Sequence, residues 1–222
     1  MDTAPVLLVI GIHRDELAFG RTVAESLDPR KVQVLTIPEG LSGKRPLIDQ
    51  QFKYNTLHQA LYRQLLPSIQ GRHTLLLDLH TGSDPAGPSA DLICADAAWR
   101  DRLAFEIAAR PALAAQNLRI VPLGTVSEFP HAHTVIPKQI WNNPEFIYLG
   151  MEIYLPETAS GQTAGRDLAQ SLVTLVADLA AKPFPTSTQQ RLAVSRQMHP
   201  QTSHEQTAGD GVPTFLPGRR QG

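Results

Sequence analysis

Short apolar runs alternate with segments of helical periodicity through the first 182 residues, and this alternation constrains the fold more than any other feature. Several runs are apolar at nearly every position, as in VLLVI and TLLLDL, which is typical of strands buried on both faces of a parallel sheet. The sequence therefore predicts a single α/β domain, built on a mostly parallel twisted sheet with helices on both faces. Strands are predicted at residues 6–12, 32–37, 73–79, 91–94, 118–121 and 148–155, and helices at 15–26, 55–69, 97–109 and 164–181.

Local signals place the start of the second helix. Asn55 is a residue type that commonly caps a helix, and Leu57, Leu61 and Leu65 follow it at intervals of four. We therefore expect the helix to begin at Asn55 and to pack these leucines against the sheet. The preceding segment, residues 41–52, contains a glycine and a proline and is expected to be a loop.

The composition is that of an ordinary globular protein and excludes some classes of function. Of the 222 residues, 42% are hydrophobic and 18% are charged, and the formal net charge is −1. This balance gives no electrostatic reason to expect binding to nucleic acid or to an anionic membrane. Cys94 is the only cysteine, so the chain can form neither an internal disulfide nor a cysteine-rich metal site. Because Cys94 lies in an apolar strand, we expect it to be an inert small hydrophobe.

The two ends of the sequence differ in character from the middle. The first residues lack the basic flank and long apolar core of a signal peptide, and no run approaches the roughly 20 apolar residues of a membrane-spanning helix. We therefore expect a cytoplasmic protein. Beyond residue 182 the chain is rich in Pro, Ser, Thr, Gln and Gly. The sequence thus predicts a folded domain over residues 1–182 and a flexible or loosely docked tail over 183–222.

Polar side chains with metal-binding or acid–base character lie at the ends of three predicted strands. His13 and Glu16 follow the first strand, His80 ends the third, and Glu152 lies in the last. Functional residues collect at the carboxyl ends of the strands in open α/β sheets. Two imidazoles and one carboxylate can bind zinc and leave a fourth position open, as in catalytic sites. Asp78 lies on the same side of its strand as His80 and is a candidate to accept that histidine's other N–H.

Each of these signals has an ordinary alternative. A His-x-x-Glu spacing is common by chance, and a histidine at a strand end is more often a hydrogen-bonded core or surface residue. Without further evidence, the ordinary interpretation of Glu152 is a surface-facing strand carboxylate. The occurrence of His13, Glu16 and His80 together at strand ends of one α/β chain nevertheless favours a metal site.

Three segments resemble the succinylglutamate desuccinylase/aspartoacylase family of the zinc carboxypeptidase superfamily. GIHRDE is similar to that family's Gly-x-His-Gly-(Asp/Asn)-Glu motif, and LLLDLHTGS to its Asp-Leu-His segment. By this resemblance, His13, Glu16 and His80 bind one zinc ion per chain. GMEIYLPE suits the position of the family's catalytic glutamate, with Glu152 as the matching residue and Glu157 as a less favoured substitute.

The resemblance also implies an activity. Residues 1–182 would form a zinc carboxypeptidase-like catalytic domain, without the accessory C-terminal β-domain of the family's amidohydrolases. The implied reaction is hydrolysis of an amide bond next to a carboxylate, in an N-acyl amino acid or another small molecule or peptide. Zinc would activate water and polarise the carbonyl, while Glu152 would act as general base and then acid.

The sequence departs from the family pattern where the substrate carboxylate should bind. Arg45 matches the first arginine of the family's Arg…Asp-Leu-Asn-Arg segment, but the second arginine is missing. Lys53 could supply a positive charge and Asn55 an amide in that region, although a lysine is not a bidentate fork. Arg14 replaces the usual glycine after the first histidine; it could bind a carboxylate or point to solvent.

Several alternatives therefore stay open at the level of sequence. The chain could be a metallocarboxypeptidase acting on small peptides or cell-wall fragments, or a family member that keeps the metal without catalysis. His131 and His133 could bind a second metal or line the pocket mouth, although solvated loop histidines are the commoner case. The sequence does not indicate an oligomeric state.

Overall fold

The computed structural model describes residues 3–44, 47–124 and 134–182, which form one α/β domain. Its strands are β1 (Val6–Ile10), β2 (Val32–Thr36), β3 (Leu75–Ser83), β4 (Ser89–Cys94), β5 (Asn117–Pro122) and β6 (Ile147–Leu155). Its helices are α1 (Leu17–Ala24), α2 (Gln51–Ile69), α3 (Ala97–Ala108), α4 (Pro111–Ala114), α5 (Lys138–Trp141) and α6 (Ala159–Ala180). The predicted tail, residues 183–222, lies outside the described residues.

The six strands form one sheet in the order β2-β1-β3-β6-β4-β5. The first four strands of this order run parallel, as the continuous apolar runs predicted. β4 is antiparallel to β6, and β5 is parallel to β4. The sheet is therefore mostly parallel, and the carboxyl ends of β1, β3 and β6 meet at one edge.

Helices cover both faces of the sheet. Alternate residues of β1 enter two different clusters, with Leu8 on one face and Leu7 on the other. The first cluster includes the apolar sides of α1, α3 and α6, and the second includes residues of α2 and α5. This arrangement confirms the predicted fold class. It also explains why β1 is buried along its whole length, since both of its faces are covered.

The structure corrects the predicted start and inner face of the second helix. Asn55 does not cap α2, because the helix begins at Gln51 and follows a 3₁₀ turn at Ile48–Gln50, within the segment predicted as a loop. Leu57 remains 45% exposed. The buried positions of α2 are His58, Tyr62, Leu65 and Ile69. Two of these side chains are polar. His58 is hydrogen-bonded to His13, and Tyr62 donates a hydrogen bond to Asp78.

Other boundaries also move. β3 continues four residues beyond its predicted end at Leu79, because it pairs with β6 as far as Ser83. α6 begins at Ala159, since the side chain of Thr158 accepts a hydrogen bond from the Gly161 amide and caps the helix. The short helices α4 and α5 were not predicted. Within the described ranges, none of the helices has both the length and the apolar character required to cross a membrane.

Candidate metal centre

The chain turns sharply where β1 ends, and this turn presents His13. Gly11 has a φ of +84°, and a Cβ atom there would lie 2.5 Å from the carbonyl oxygen of Ile37. Glycine alone fits this combination of left-handed backbone and close approach. Three residues later, the backbone amide of Arg14 donates to the carbonyl of Leu41 at 2.8 Å. The segment that carries His13 is therefore fixed on both sides.

Three potential ligands converge at the carboxyl end of the sheet. Nδ1 of His13 lies 3.0 Å from one carboxylate oxygen of Glu16, and Nδ1 of His80 lies 2.9 Å from the other. One ligand atom from each residue can be chosen so that all lie within 4.8 Å of one another, and the group could hold a metal ion. Two imidazole nitrogens and one carboxylate oxygen suit zinc, with room for a further ligand.

A buried carboxylate orients the ring of His80. Oδ2 of Asp78 lies 3.1 Å from Nε2 of His80, the nitrogen that points away from Glu16. The same oxygen accepts hydrogen bonds from the hydroxyls of Tyr62 at 2.6 Å and Tyr148 at 2.9 Å. This contact confirms the predicted proximity of Asp78 and His80. The hydroxyl of Tyr148 thus also holds Asp78 in place.

A second histidine contacts the ring of His13, and sequence reasoning missed it. His58 is buried, and its Nε2 lies 3.1 Å from Nε2 of His13. Its Nδ1 lies 3.1 Å from the backbone carbonyl oxygen of Tyr54, one turn earlier in α2. The spacing of His58, Tyr62 and Leu65 by four and then three residues was the available signal, because it places them on one face of a helix.

The local charges shift the pKa values of the candidate ligands and their neighbours. Burial lowers the pKa of His80, but the carboxylates of Asp78 and Glu16 outweigh it and hold the pKa well above its ordinary value. Burial raises the pKa of Glu16. Its hydrogen bonds and charge interactions with His13 and His80 together lower that pKa by more, so the net shift is downward. Burial also lowers the pKa of His58, which favours its neutral form.

Glu152 lies beside the ligand group on the neighbouring strand. It stands opposite His80 in the parallel register of β3 and β6, and it lines the same cavity as His13 and His80. Burial raises the pKa of its carboxyl group. Glu157 is exposed beyond the end of β6 and is not among the residues that line the cavity. The geometry therefore favours Glu152 over Glu157 as the acid–base candidate.

The cavity has a volume of about 330 Å³ and a largely apolar wall. Side chains from three strands (β3, β4 and β6), from α2, from the segment before α5 and from the residues His13 and Leu123 contribute to it. The apolar and aromatic lining residues are Tyr54, Tyr62, Ile93, Leu123, Val135, Ile136, Tyr148 and Met151. A cavity of this kind, with a few polar groups converging at one end, is typical of small-molecule sites.

The predicted substrate-binding residues do not line this cavity where the structure describes them. Arg14 and Lys53 are exposed, and each is adjacent in sequence to a lining residue, His13 and Tyr54 respectively. The side chain of Asn55 accepts a hydrogen bond from Gln51. Their roles in substrate binding remain predictions.

Four other residues named in the sequence analysis do not belong to the described part of this cavity. Arg45, His131 and His133 lie outside the described residues. Cys94 is buried in the core, as expected for a small hydrophobe.

Comparison with known proteins identifies similar folds at low sequence identity. No family model and no curated protein matches the sequence. The CwlD amidase from Clostridioides difficile, solved in complex with the GerS lipoprotein, aligns with a TM-score of 0.49 and 9% identity over 82% of this chain and 100% of that chain. Murine aminoacylase 3 aligns with a TM-score of 0.44 and 14% identity over 81% of this chain and 66% of that chain.

A third solved structure is the catalytic domain of CwlV, an N-acetylmuramoyl-L-alanine amidase from Bacillus (Paenibacillus) polymyxa var. colistinus. It aligns with a TM-score of 0.42 and 10% identity over 80% of this chain and 95% of that chain. At these levels of identity and overlap, none of the three assigns a family or an activity to this chain. Its own fold and side chains define an α/β protein with a candidate His–Glu–His metal centre.

Proposed function

We propose that this protein is a zinc-dependent hydrolase that cleaves an amide bond next to a carboxylate, in an N-acyl amino acid or a small peptide. One observation carries the proposal. The candidate ligands His13, Glu16 and His80 converge at the carboxyl end of the sheet, and Glu152 lines the cavity that His13 and His80 also line. The motifs that carry the family resemblance supply these same four residues.

The donor set fits zinc in a catalytic rather than a structural role. Both histidines turn Nδ1 toward Glu16, and both use Nε2 to contact a second residue, as is usual for metal-bound histidines. When bound, a zinc ion supplies Lewis acidity that polarises a carbonyl group and lowers the pKa of water to about 7.

Glu152 is proposed to move the proton. It would take a proton from the attacking water and deliver that proton to the nitrogen that leaves as the amide bond breaks. Burial raises the pKa of Glu152, which brings its affinity for the proton closer to the value required for both transfers near neutral pH. Its position opposite His80 supports this role.

The substrate carboxylate is proposed to bind near the cavity mouth through Arg45, Lys53, Asn55 and Arg14. Arg14 and Lys53 each adjoin a residue that lines the cavity, and both side chains are exposed. The apolar wall would receive a hydrophobic part of the substrate beside the scissile bond.

The test is hydrolysis of a panel of N-acyl amino acids and short peptides by the zinc-loaded protein. Glu152→Gln should lower the rate by about 10²–10⁴-fold while zinc stays bound. Glu157→Gln is the matched control and should retain the wild-type rate. Release of the C-terminal residue from peptides, without deacylation of amino acids, would restrict the proposed activity to that of a carboxypeptidase. Zinc-loaded protein that cleaves nothing in the panel would contradict the proposal and favour a binding role.

A further inference from the structure

The contact between His58 and His13 has a specific chemical consequence for the metal centre. We propose that His58 is a positioning residue that holds His13 in the tautomer protonated on Nε2, so that the Nδ1 lone pair is free to bind the metal ion. This inference rests on the proposed zinc site. It concerns a residue of α2 that belongs to none of the motifs described above.

The first step follows from the carbonyl of Tyr54. A carbonyl oxygen can only accept a hydrogen bond, so Nδ1 of His58, at 3.1 Å from it, must carry a proton. Tyr54 precedes His58 by four residues in α2, and the helix therefore fixes this carbonyl relative to the imidazole. The ring of Tyr54 also packs against that of His58, with centroids 4.0 Å apart.

The second step follows from the single proton of a neutral imidazole. With Nδ1 of His58 protonated, its Nε2 is an acceptor, and Nε2 of His13 at 3.1 Å must be the donor. His58 is 3% exposed and, among the residues that the structure describes, its hydrogen bonds are with His13 and the Tyr54 carbonyl, so burial favours this neutral form. The proton of His13 therefore lies on Nε2.

The third step concerns the opposite side of the His13 ring. In a neutral His13 ring whose one proton is on Nε2, Nδ1 is an acceptor, and it lies 3.0 Å from a carboxylate oxygen of Glu16. Two acceptors at this distance repel each other unless a proton or a cation lies near both of them. The relay from Tyr54 through His58 supplies no proton to Nδ1, and so it favours a cation at this point.

His13 and His80 are thus oriented by different partners. Nε2 of His80 contacts the anionic Asp78, whereas Nε2 of His13 contacts the neutral His58. A further buried carboxylate beside Glu16 and Asp78 would add negative charge to the site, while a neutral imidazole fixes the tautomer without that addition.

The test reads the imidazole nitrogens directly. Protein labelled with ¹⁵N-histidine is examined by long-range ¹H–¹⁵N NMR, with and without zinc, and resonances are assigned from single-histidine variants. We expect His13 to be protonated on Nε2 and His58 on Nδ1 in the zinc-loaded protein. A proton on Nδ1 of His13 in that state would overturn the proposal, and this readout requires no variant of His58.

Zinc affinity, measured by competition with a chromophoric chelator, gives a second readout. His58→Phe keeps a ring but removes the acceptor and should weaken zinc binding about 10–100-fold. His58→Gln retains an oxygen acceptor and should recover most of the affinity. His73→Phe is the matched control, because His73 is another buried histidine whose Nδ1 lies against a backbone carbonyl, that of Ala4. It should bind zinc as the wild type does.

The outcomes separate this inference from the proposed function. Wild-type zinc affinity in folded His58→Phe would overturn the role of His58 and leave the metal centre intact. Failure of the wild-type protein itself to bind zinc would overturn the proposed function. In that case, a metal-free spectrum with the Nε2 proton on His13 would still support the hydrogen-bond relay.

Discussion

Oδ2 of Asp78 lies 3.1 Å from Nε2 of His80, two residues further along β3. Alternation along a strand places both side chains on one side of the sheet, where Asp78 is fully buried. The Asp78 carboxylate fixes the His80 ring with Nδ1 directed at Glu16. The arrangement of the candidate metal centre thus depends on a residue that would not itself bind the metal.

Replacing Asp78 should weaken metal binding without removing a ligand. Asp78→Asn keeps the shape of the side chain but removes the charge that holds Nε2–H of His80. We expect zinc affinity to fall about 10–100-fold in chelator competition. Asp15→Asn is the control, because Asp15 is an exposed carboxylate adjacent to Glu16. Equal zinc affinity in the two variants would show that Asp78 does not orient the ligand.

The two tyrosines that donate to Asp78 should contribute to stability. Tyr62→Phe and Tyr148→Phe each remove a buried hydrogen bond to a charged group, at an expected cost of about 1.5–3 kcal/mol in the free energy of unfolding. Because both hydroxyls donate to the same oxygen, the two losses should not add. Urea denaturation of the two single variants and the double variant measures how far the losses in unfolding free energy depart from additivity.

Tyr154→Phe provides the comparison for the tyrosine variants. The Tyr154 hydroxyl donates to Asp91 at 3.1 Å, and the Tyr154 side chain is less buried than those of Tyr62 and Tyr148. We expect a smaller loss of stability than for Tyr62→Phe. Additive losses for Tyr62 and Tyr148, each equal to that of Tyr154, would argue against a shared buried carboxylate.

The turn at Gly11 should tolerate no side chain. Gly11→Ala places Cβ 2.5 Å from the carbonyl oxygen of Ile37, in addition to the strain of a positive φ. Gly71→Ala is a matched control, because Gly71 has a φ of +66° but open space around it. We expect Gly71→Ala to cost about 1–2 kcal/mol of unfolding free energy, and Gly11→Ala to cost more. Equal losses would mean that the close approach at Gly11 is relieved at no cost.

The apolar wall of the cavity should set a preference among substrates. Ile93→Thr puts a hydroxyl in that wall and should lower kcat/KM about 10-fold for substrates with a large apolar side chain. Substrates with a glycine side chain should be less affected. Ile120→Thr is the same substitution on the neighbouring strand, in the core cluster of the other face, and should leave this ratio unchanged. An equal loss of kcat/KM for both substrate types would show that this wall does not bind the apolar side chain of the substrate.

The features that short stretches of sequence determine, namely the strands and the polar residues at their ends, could be predicted. The apolar runs predicted the parallel strands, and the polar residues at the strand ends predicted the convergence of His13, Glu16 and His80. Strand direction in the second half was not predictable, because the antiparallel pairing of β4 with β6 depends on contacts between distant segments. The role of His58 was missed for a related reason. Its partner lies 45 residues earlier, and the contact exists only once α2 has packed across the sheet.

The central claim is that His13, Glu16 and His80 form a zinc site. Equilibrium dialysis against zinc, followed by elemental analysis, tests it on the full chain. We expect about one zinc ion per wild-type chain, and none retained at the same free zinc concentration by folded His13→Ala or His80→Ala, because each loses one of the protein ligands. Wild-type protein that retains no more zinc than these two variants would contradict the account.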